Sequence, residues 1–361
     1  MKLGIYTDAH FSLTSSIYSR IRGHKYSSRL DMLVESFKWM YKTFEDHGVD
    51  IIINAGDLIS SDILKPEENS AIYEAFSYRG NIPEYHILGN HEIKDKNKEH
   101  HSMSLLRGYD NIEILDEMKV LEFEDESIIL MPFTSSEDSY NELYELLENS
   151  DKSKKQYLFT HASYIGESYN RYIEMNGLDK LKLVTSYSNL KAIFNGHIHN
   201  IKDEEIYHQI GSLTGNSFSD NYDEGYPGVV IYDTKTDKLE RVVNPKSVLF
   251  FKIKADTVRS IYNQIAKMPR DQPKCLRVDV PYSIKDNASE YLIKNSDKYN
   301  ISEFRIKSLR EVNESATPLE IESFSTYKNP HDALVGFIDS QESLPYPKEK
   351  MIGFLDKYVN N

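Results

Sequence analysis

The stretch Phe194-Asn195-Gly196-His197-Ile198-His199 decides how the chain is read. The apolar run Ala192-Ile193-Phe194 ends in a glycine turn, which predicts a strand whose end presents two histidines two residues apart. Imidazole is the side chain most often used to bind transition metals. A lone His-x-His pair is as often two solvated loop histidines, so its company decides. Four more polar clusters follow apolar runs upstream: Asp8-Ala9-His10 after residues 3–7, and Gly56-Asp57 after residues 50–55. Gly89-Asn90-His91-Glu92 follows residues 85–88, and His161 follows residues 157–160.

Between these strand-like runs the periodicity turns helical. Leu30, Leu33, Val34, Phe37, Met40, Tyr41 and Phe44 repeat at three- and four-residue spacing, and His47-Gly48 supplies the stop. Further helices are predicted near residues 69–78, 99–108 and 140–149, with strands at 112–115, 119–123, 127–132 and 229–233. Alternation of this kind predicts an α/β fold built on parallel strands, and such folds place ligands beyond the carboxyl ends of their strands. Any one of the clusters is readable as a turn, since Gly, Asn and Asp are common there. Five in succession at strand ends point to a site.

The candidate ligands are Asp8, His10, Asp57, Asn90, His161, His197 and His199. They offer carboxylate, amide and imidazole with no thiolate, a donor set that suits Mn, Fe or Zn. Seven ligands exceed what one ion needs while leaving room for substrate. Two ions sharing a carboxylate would use them all, and paired ions a few ångström apart suit phosphoryl displacement.

Composition narrows the setting. The 361 residues are 39% hydrophobic and 28% charged, with a single cysteine, Cys275, so no disulfide framework can form within the chain. No apolar run is long enough to span a bilayer, and the N-terminus enters a strand pattern directly, so the expectation is a cytoplasmic protein with no membrane partner. A net charge of −14 argues against tight autonomous binding of nucleic acid by phosphate neutralisation. It does not exclude phosphate chemistry, because bound divalent cations supply positive charge locally.

After about residue 245 the texture changes. Strands at 248–253, 274–280 and 303–309 alternate with helices at 257–267 and 288–298, and none carries a ligand-like cluster. The expected organisation is a core carrying the clusters at 1–245, a small α+β cap at 246–310, a polar linker at 311–330 and a helical tail at 331–361. The tail has apolar stripes through Ala333, Leu334, Phe337 and Ile338, then Met351, Ile352, Phe354, Leu355 and Val359, which either pack on each other or dock on a partner, with Phe337, Ile338, Phe354 and Leu355 as the anchors.

Taken together, Asp8-x-His10, Gly56-Asp57, Gly89-Asn90-His91-Glu92, His161 and Gly196-His197-x-His199 resemble the signature of the calcineurin-like metallophosphoesterases. The resemblance implies a sandwich of mixed β-sheets flanked by helices. It also implies that Asp8, His10 and His199 hold one ion, that Asn90, His161 and His197 hold the other, and that Asp57 bridges them. His91 matches a catalytic histidine that is not a ligand. Where many relatives carry a second Asp three residues past the bridging one, this chain has Ser60, with Asp62 out of phase.

Arg29 and Asp31 on the first helix, and the segment Ile210-Gly211-Ser212-Leu213 with Ser217-Phe218 and Gly225-Tyr226, look like the SbcD-type double-strand-break-repair nucleases, although the usual proline is Leu213. Length and tail look most like the bacteriophage recombination endonuclease subunits of that family. This implies a homodimeric, manganese-dependent DNA nuclease, working with an SbcC-type coiled-coil ATPase in the host cytoplasm. A stand-alone small-molecule or cyclic-nucleotide phosphodiesterase and a non-catalytic scaffold for the ATPase are the alternatives.

Overall fold

Helix α1 (Ser28–His47) shows how local signals and burial agree. Ser27 caps it by accepting the Leu30 N–H, and Gly48 ends it at φ +63°. Its apolar stripe, with Leu30, Leu33, Phe37 and Phe44 fully buried, lies on a sheet face together with Ile72 and Phe76 of α2 (Pro66–Phe76). Gly4 makes that contact possible, because a Cβ there would sit 2.8 Å from the Phe44 ring.

The computed structural model describes residues 1–13, 24–94, 100–165 and 177–309, and beyond these only 338, 347, 348, 350 and 352. The sheet beneath α1 has six strands: β1 (Lys2–Tyr6), β2 (Ile51–Asn54), β3 (Glu84–Ile87), β4 (Ile112–Leu115), β11 (Gly228–Asp233) and β12 (Lys238–Val243). The order is β12-β11-β1-β2-β3-β4, with β1 to β4 parallel and β11 antiparallel to β1. A second six-stranded sheet runs β5 (Lys119–Glu122), β6 (Glu126–Met131), β7 (Lys155–Thr160), β8 (Leu190–Asn195), β10 (Tyr207–Gln209) and β9 (Lys202–Glu204).

The two sheets pack face to face. Leu3, Ile5, Ile53 and Ile87 of the first meet Ile128, Leu130, Tyr157, Phe159 and Phe194 of the second in one apolar layer. Strand residues of opposite parity face the helices, as the two-residue side-chain period requires. On the far side of the second sheet, Leu143 and Leu147 of α3 (Glu137–Asn149) and Leu183 of α4 (Lys180–Ser186) cover Ile129, Leu158 and Ile193. The result is the expected mixed-sheet sandwich flanked by helices. Strand alternation alone pointed to parallel strands without dividing them, and the structure splits them between two sheets.

Some local expectations change. The segment near 99–108 forms a 3-10 helix at Ser102–Gly108, and α4, β9, β10 and β12 lack the strong periodicity that would announce them. Among the described residues no helix is long and apolar enough to cross a membrane.

After β12 the chain forms a parallel three-stranded sheet of β13 (Leu249–Lys254), β14 (Lys274–Pro281) and β15 (Ile301–Leu309). Helices α5 (Val258–Ile265) and α6 (Lys285–Asn295) bury Ile261, Ile265 and Leu292 against Ile253, Leu276 and Val278. The chain divides into two compact units, Met1–Leu309 and Arg310–Asn361. The linker at 311–330 lies outside the described residues, as do most positions of the two tail helices. Ile338 is described and its side chain is buried, so it is not available as an exposed anchor.

One polar contact ties the open edges of the two large sheets. Arg241 of β12 reaches Asp203 of β9 through Nε at 2.9 Å and Nη2 at 2.7 Å, and it also donates to the Ile210 and Gln209 carbonyls. Burial opposes ionisation of Asp203, but hydrogen bonds from His208 and Arg241 outweigh it and hold the carboxyl below its ordinary range. As pH falls through the ordinary carboxylate range near 4, the unfolded state takes up the proton first and this contribution is lost. Asp203→Asn is therefore expected to lower the melting temperature at pH 7, and the gap from wild type should close in thermal melts as pH drops below about 4.

Candidate metal centre

Strands β1, β2 and β3 of one sheet and β7 and β8 of the other end at the same edge of the sandwich. Their exit loops carry the clustered polar residues. These loops are strained: of seven non-glycine residues at positive φ among the described residues, Asp8 (52°), His10 (53°), Asp57 (51°) and His197 (71°) belong to this edge. Each such residue costs about 1–3 kcal/mol and persists only where its surroundings over-determine it, and such strain concentrates at functional sites.

Asp8 is fully buried. Its Oδ2 accepts hydrogen bonds from Thr7 Oγ1 (2.7 Å) and the His197 backbone N–H (3.1 Å), which leaves Oδ1 buried without a hydrogen-bond partner. That oxygen lies 3.6 Å from His10 Nε2 and 3.5 Å from His199 Nε2, and the two imidazole nitrogens are 3.0 Å apart. An unpartnered buried carboxylate oxygen facing two converging ring nitrogens is what a cation-binding group looks like.

Asp57 connects this group to a second one. Its Oδ2 is 3.2 Å from His161 Nε2 and 3.9 Å from His10 Nε2, while Oδ1 accepts the His91 backbone N–H at 3.0 Å. His161 directs Nδ1 to the Ala55 carbonyl at 2.7 Å, which fixes the tautomer and frees Nε2 for a ligand. Asn90 Oδ1 sits 3.3 Å from His161 Nε2 and 3.0 Å from His197 Nδ1. Asp8, His10 and His199 form one group able to hold an ion, and Asp57, His161 and His197 another. All seven residues read from the sequence as ligands converge here.

Charge follows the same geometry. Burial penalises the Asp57 carboxylate, yet His161 and His10 pull it down to about 2. Burial likewise disfavours His161 as a cation, and Asp57 and Asp8 overcome this and lift it to about 9. His197 goes the other way: burial and the neighbouring His161 push it down to about 4. Two buried carboxylates thus draw positive charge into the crevice, a demand that divalent ions satisfy.

His91 differs from the seven. Its side chain is half exposed, its ring meets the His10 ring edge-on with centroids 5.1 Å apart, and its Nε2 lies 3.9 Å from Asp57 Oδ2. It also completes a third His/Asp group with His10 and Asp57, so proximity alone does not separate ligand from catalyst. None of the other described histidines joins the clusters. His208 pairs with Asp203 and stacks on Phe194.

Residues beyond the ligand types hold the site together. Glu92 is fully buried and accepts the Gly89 N–H at 2.7 Å and the Ile59 N–H at 3.1 Å, which binds the Asn90 loop to the Asp57 loop. Burial and nearby Asp57 push its carboxyl up to about 8. Gly89 lets these loops meet, since a Cβ would lie 2.1 Å from Asp57 Oδ1. Phe133 sets its ring beside those of His161 and His197, at centroid distances of 6.4 and 6.1 Å. Glu92 stood within a motif as a visible signal, whereas nothing in the pattern marked Phe133.

The calcineurin-like phosphoesterase family profile matches residues 1–200. Among solved structures, the chain is similar to purple acid phosphatase PPD1 from yellow lupin (Lupinus luteus) seeds, at 12% identity and TM-score 0.40, over 66% of this chain and 52% of that one. It is similar also to the protein TT1561 of Thermus thermophilus, at 14% identity and TM-score 0.38, over 67% and 98% of the two chains. A dimetal phosphatase from Danio rerio is similar at 11% identity and TM-score 0.36, over 64% and 91%. The match spans about half the length of the lupin protein. No curated protein matches the chain.

Metal analysis of the purified chain incubated with Mn2+ is expected to find two ions, reduced to one in Asp8→Asn. Asp57→Asn is expected to weaken both. Saturation at a hundredfold excess over Kd should add about 2.7 kcal/mol of stability per ion, read as a rise in melting temperature.

Proposed function

Because the chain belongs to the calcineurin-like phosphoesterase family, we propose that it is a two-metal DNA nuclease, hydrolysing phosphodiesters during recombination and double-strand-break processing. The observation that carries the hydrolytic part is the pair of His/Asp groups meeting at Asp57. Support for DNA as the substrate comes from the likeness of Arg29, Asp31 and the segment around Gly211-Ser212 to SbcD-type nucleases, and from the order of core, small α/β sheet and tail.

Asp8, His10 and His199 would hold one divalent ion, and Asn90, His161 and His197 the other, with Asp57 shared. When bound, two such ions supply Lewis-acid polarisation of a phosphoryl group and an ionised nucleophile at neutral pH, and the donor set suits manganese. The chain's own residues do the rest. His161 is held by the Ala55 carbonyl, and Glu92 keeps the Asn90 and Asp57 loops in register. His91, half exposed beside His10, has the access needed to protonate a leaving oxygen or to stabilise developing negative charge.

A net charge of −14 leaves the chain poorly equipped to grip DNA alone, which supports a partner that supplies the hold. That partner is proposed to be an SbcC-type coiled-coil ATPase engaged by the tail, with the nuclease acting as a homodimer in the cytoplasm. The tail's apolar stripes are suited to helix-in-groove recognition, with Phe337, Phe354 and Leu355 as anchors.

Cleavage of linear DNA in manganese, assayed with and without such an ATPase, separates the readings. Cleavage of cyclic nucleotides but not DNA would favour the small-molecule phosphodiesterase, and inactivity on both would favour a scaffold. His91→Ala is expected to keep its metal content while turnover falls by roughly 10²–10⁴-fold; metal loss would make His91 a ligand. The double substitution Phe354→Ala with Leu355→Ala is expected to weaken ATPase association about a hundredfold or more in calorimetry, with unchanged basal cleavage of single-stranded DNA.

A further inference from the structure

Arg29 stands in the first turn of α1 and is only 2% exposed. Burial lowers its guanidinium to about 10, so it is still charged at neutral pH. Among the described residues no carboxylate makes an ion pair with it, and Asp220 acts on it only through space. A buried charge without a contacting counter-ion persists only where its hydrogen bonds are worth keeping.

Those bonds converge on the backbone behind the ligands. Nη2 donates to the Ala9 carbonyl at 2.9 Å and to Asn216 Oδ1. Nη1 donates to Thr214 Oγ1 at 3.0 Å and to the Gly215 carbonyl at 2.8 Å. A guanidinium only donates, so Asn216 must turn its oxygen toward Arg29. Its Nδ2 is thereby aimed at the Asp8 carbonyl, 3.3 Å away, and lies 3.5 Å from His199 Nδ1. The Leu213 N–H donates to the Thr7 carbonyl at 3.0 Å, so segment 213–216 runs alongside residues 7–9.

Asp8 and His10 both occupy the left-handed region, at φ 52° and 53°, and Ala9 lies between them. Two strained residues in three need external restraint. The carbonyls of Asp8 and Ala9 receive it from Asn216 and Arg29.

We infer that Arg29 is a positioning residue: it holds the Ala9 carbonyl directly and the Asp8 carbonyl through Asn216, keeping Asp8, His10 and His199 convergent, and so sets the affinity of their ion without touching ion or substrate. The inference rests on the assignment of those three residues to one ion. It selects one site over the other, because none of the four acceptors of Arg29 belongs to the Asn90, His161 or His197 loops.

The test is calorimetric titration of the full chain with Mn2+ alone, on wild type, Arg29→Met, Arg29→Lys and Asn216→Ala, with Asp8→Asn as the one-site reference. Arg29→Met and Asn216→Ala are expected to weaken one of the two ions at least tenfold and leave the other within about twofold, displaced toward the Asp8→Asn pattern. Arg29→Lys keeps the charge but cannot span four acceptors, so it should show the same selective loss to a smaller degree. Thermal melts without metal establish that each variant folds; if Arg29→Met does not, Asn216→Ala decides. Two wild-type affinities in a folded variant would overturn the inference, and so would equal weakening of both ions, which is the mark of a merely structural residue. A wild-type chain that takes up no Mn2+ would instead overturn the metal-site assignment, and this inference with it.

Discussion

Two carboxylates, Asp8 and Asp57, are buried in one crevice at the meeting edge of two sheets, and the rest of the site answers to that constraint. Like charges removed from water repel and lose hydration, so each requires compensation close by. Imidazoles from the surrounding loops provide it: His10 and His199 at Asp8, and His161 and His10 at Asp57. The compensation is incomplete in hydrogen-bonding terms, since Asp8 Oδ1 has no hydrogen-bond partner. A crevice that is rich in buried negative charge and ringed by nitrogen donors is one prepared for cations.

Such a crevice is held open against relaxation by the sandwich itself. Five parallel strands from two sheets deliver their carboxyl ends to one edge, and the apolar layer between the sheets fixes where those ends lie. The backbone there adopts conformations that non-glycine residues avoid. Hydrogen bonds donated by Thr7 and Asn216, and others accepted by Glu92 and the Ala55 carbonyl, pin those turns. Rigidity in the scaffold and strain in the loops are complementary, because strain survives only where packing leaves no cheaper arrangement.

Much of this was legible in the chain. Helix α1 was readable from its stripe and from the Gly48 stop, and the buried strands from their unbroken apolar runs. The seven ligand-type residues stood out because chemistry-bearing side chains recurred at strand ends, and all seven meet in space. Shorter elements such as β9 and β10, three residues each, escaped notice because they hold too few positions for a period to register. The stretch near 99–108 looked helical and forms a 3-10 turn at Ser102–Gly108, where the Ser102 N–H and the Glu92 carbonyl are already hydrogen-bonded to each other.

By itself the sequence determined the alternation of elements, the identity of the ligand-type residues and the strand ends that carry them. These are local properties, encoded in periods of two and 3.6 and in turn chemistry within a few residues. Only the tertiary structure decided that the strands divide between two stacked sheets, that Asp57 lies between both histidine groups, and that Arg29 and Asn216 back the Asp8-Ala9-His10 turn. Those relations join residues 20 to more than 200 positions apart, and no local pattern records a contact whose geometry is set by how two sheets pack.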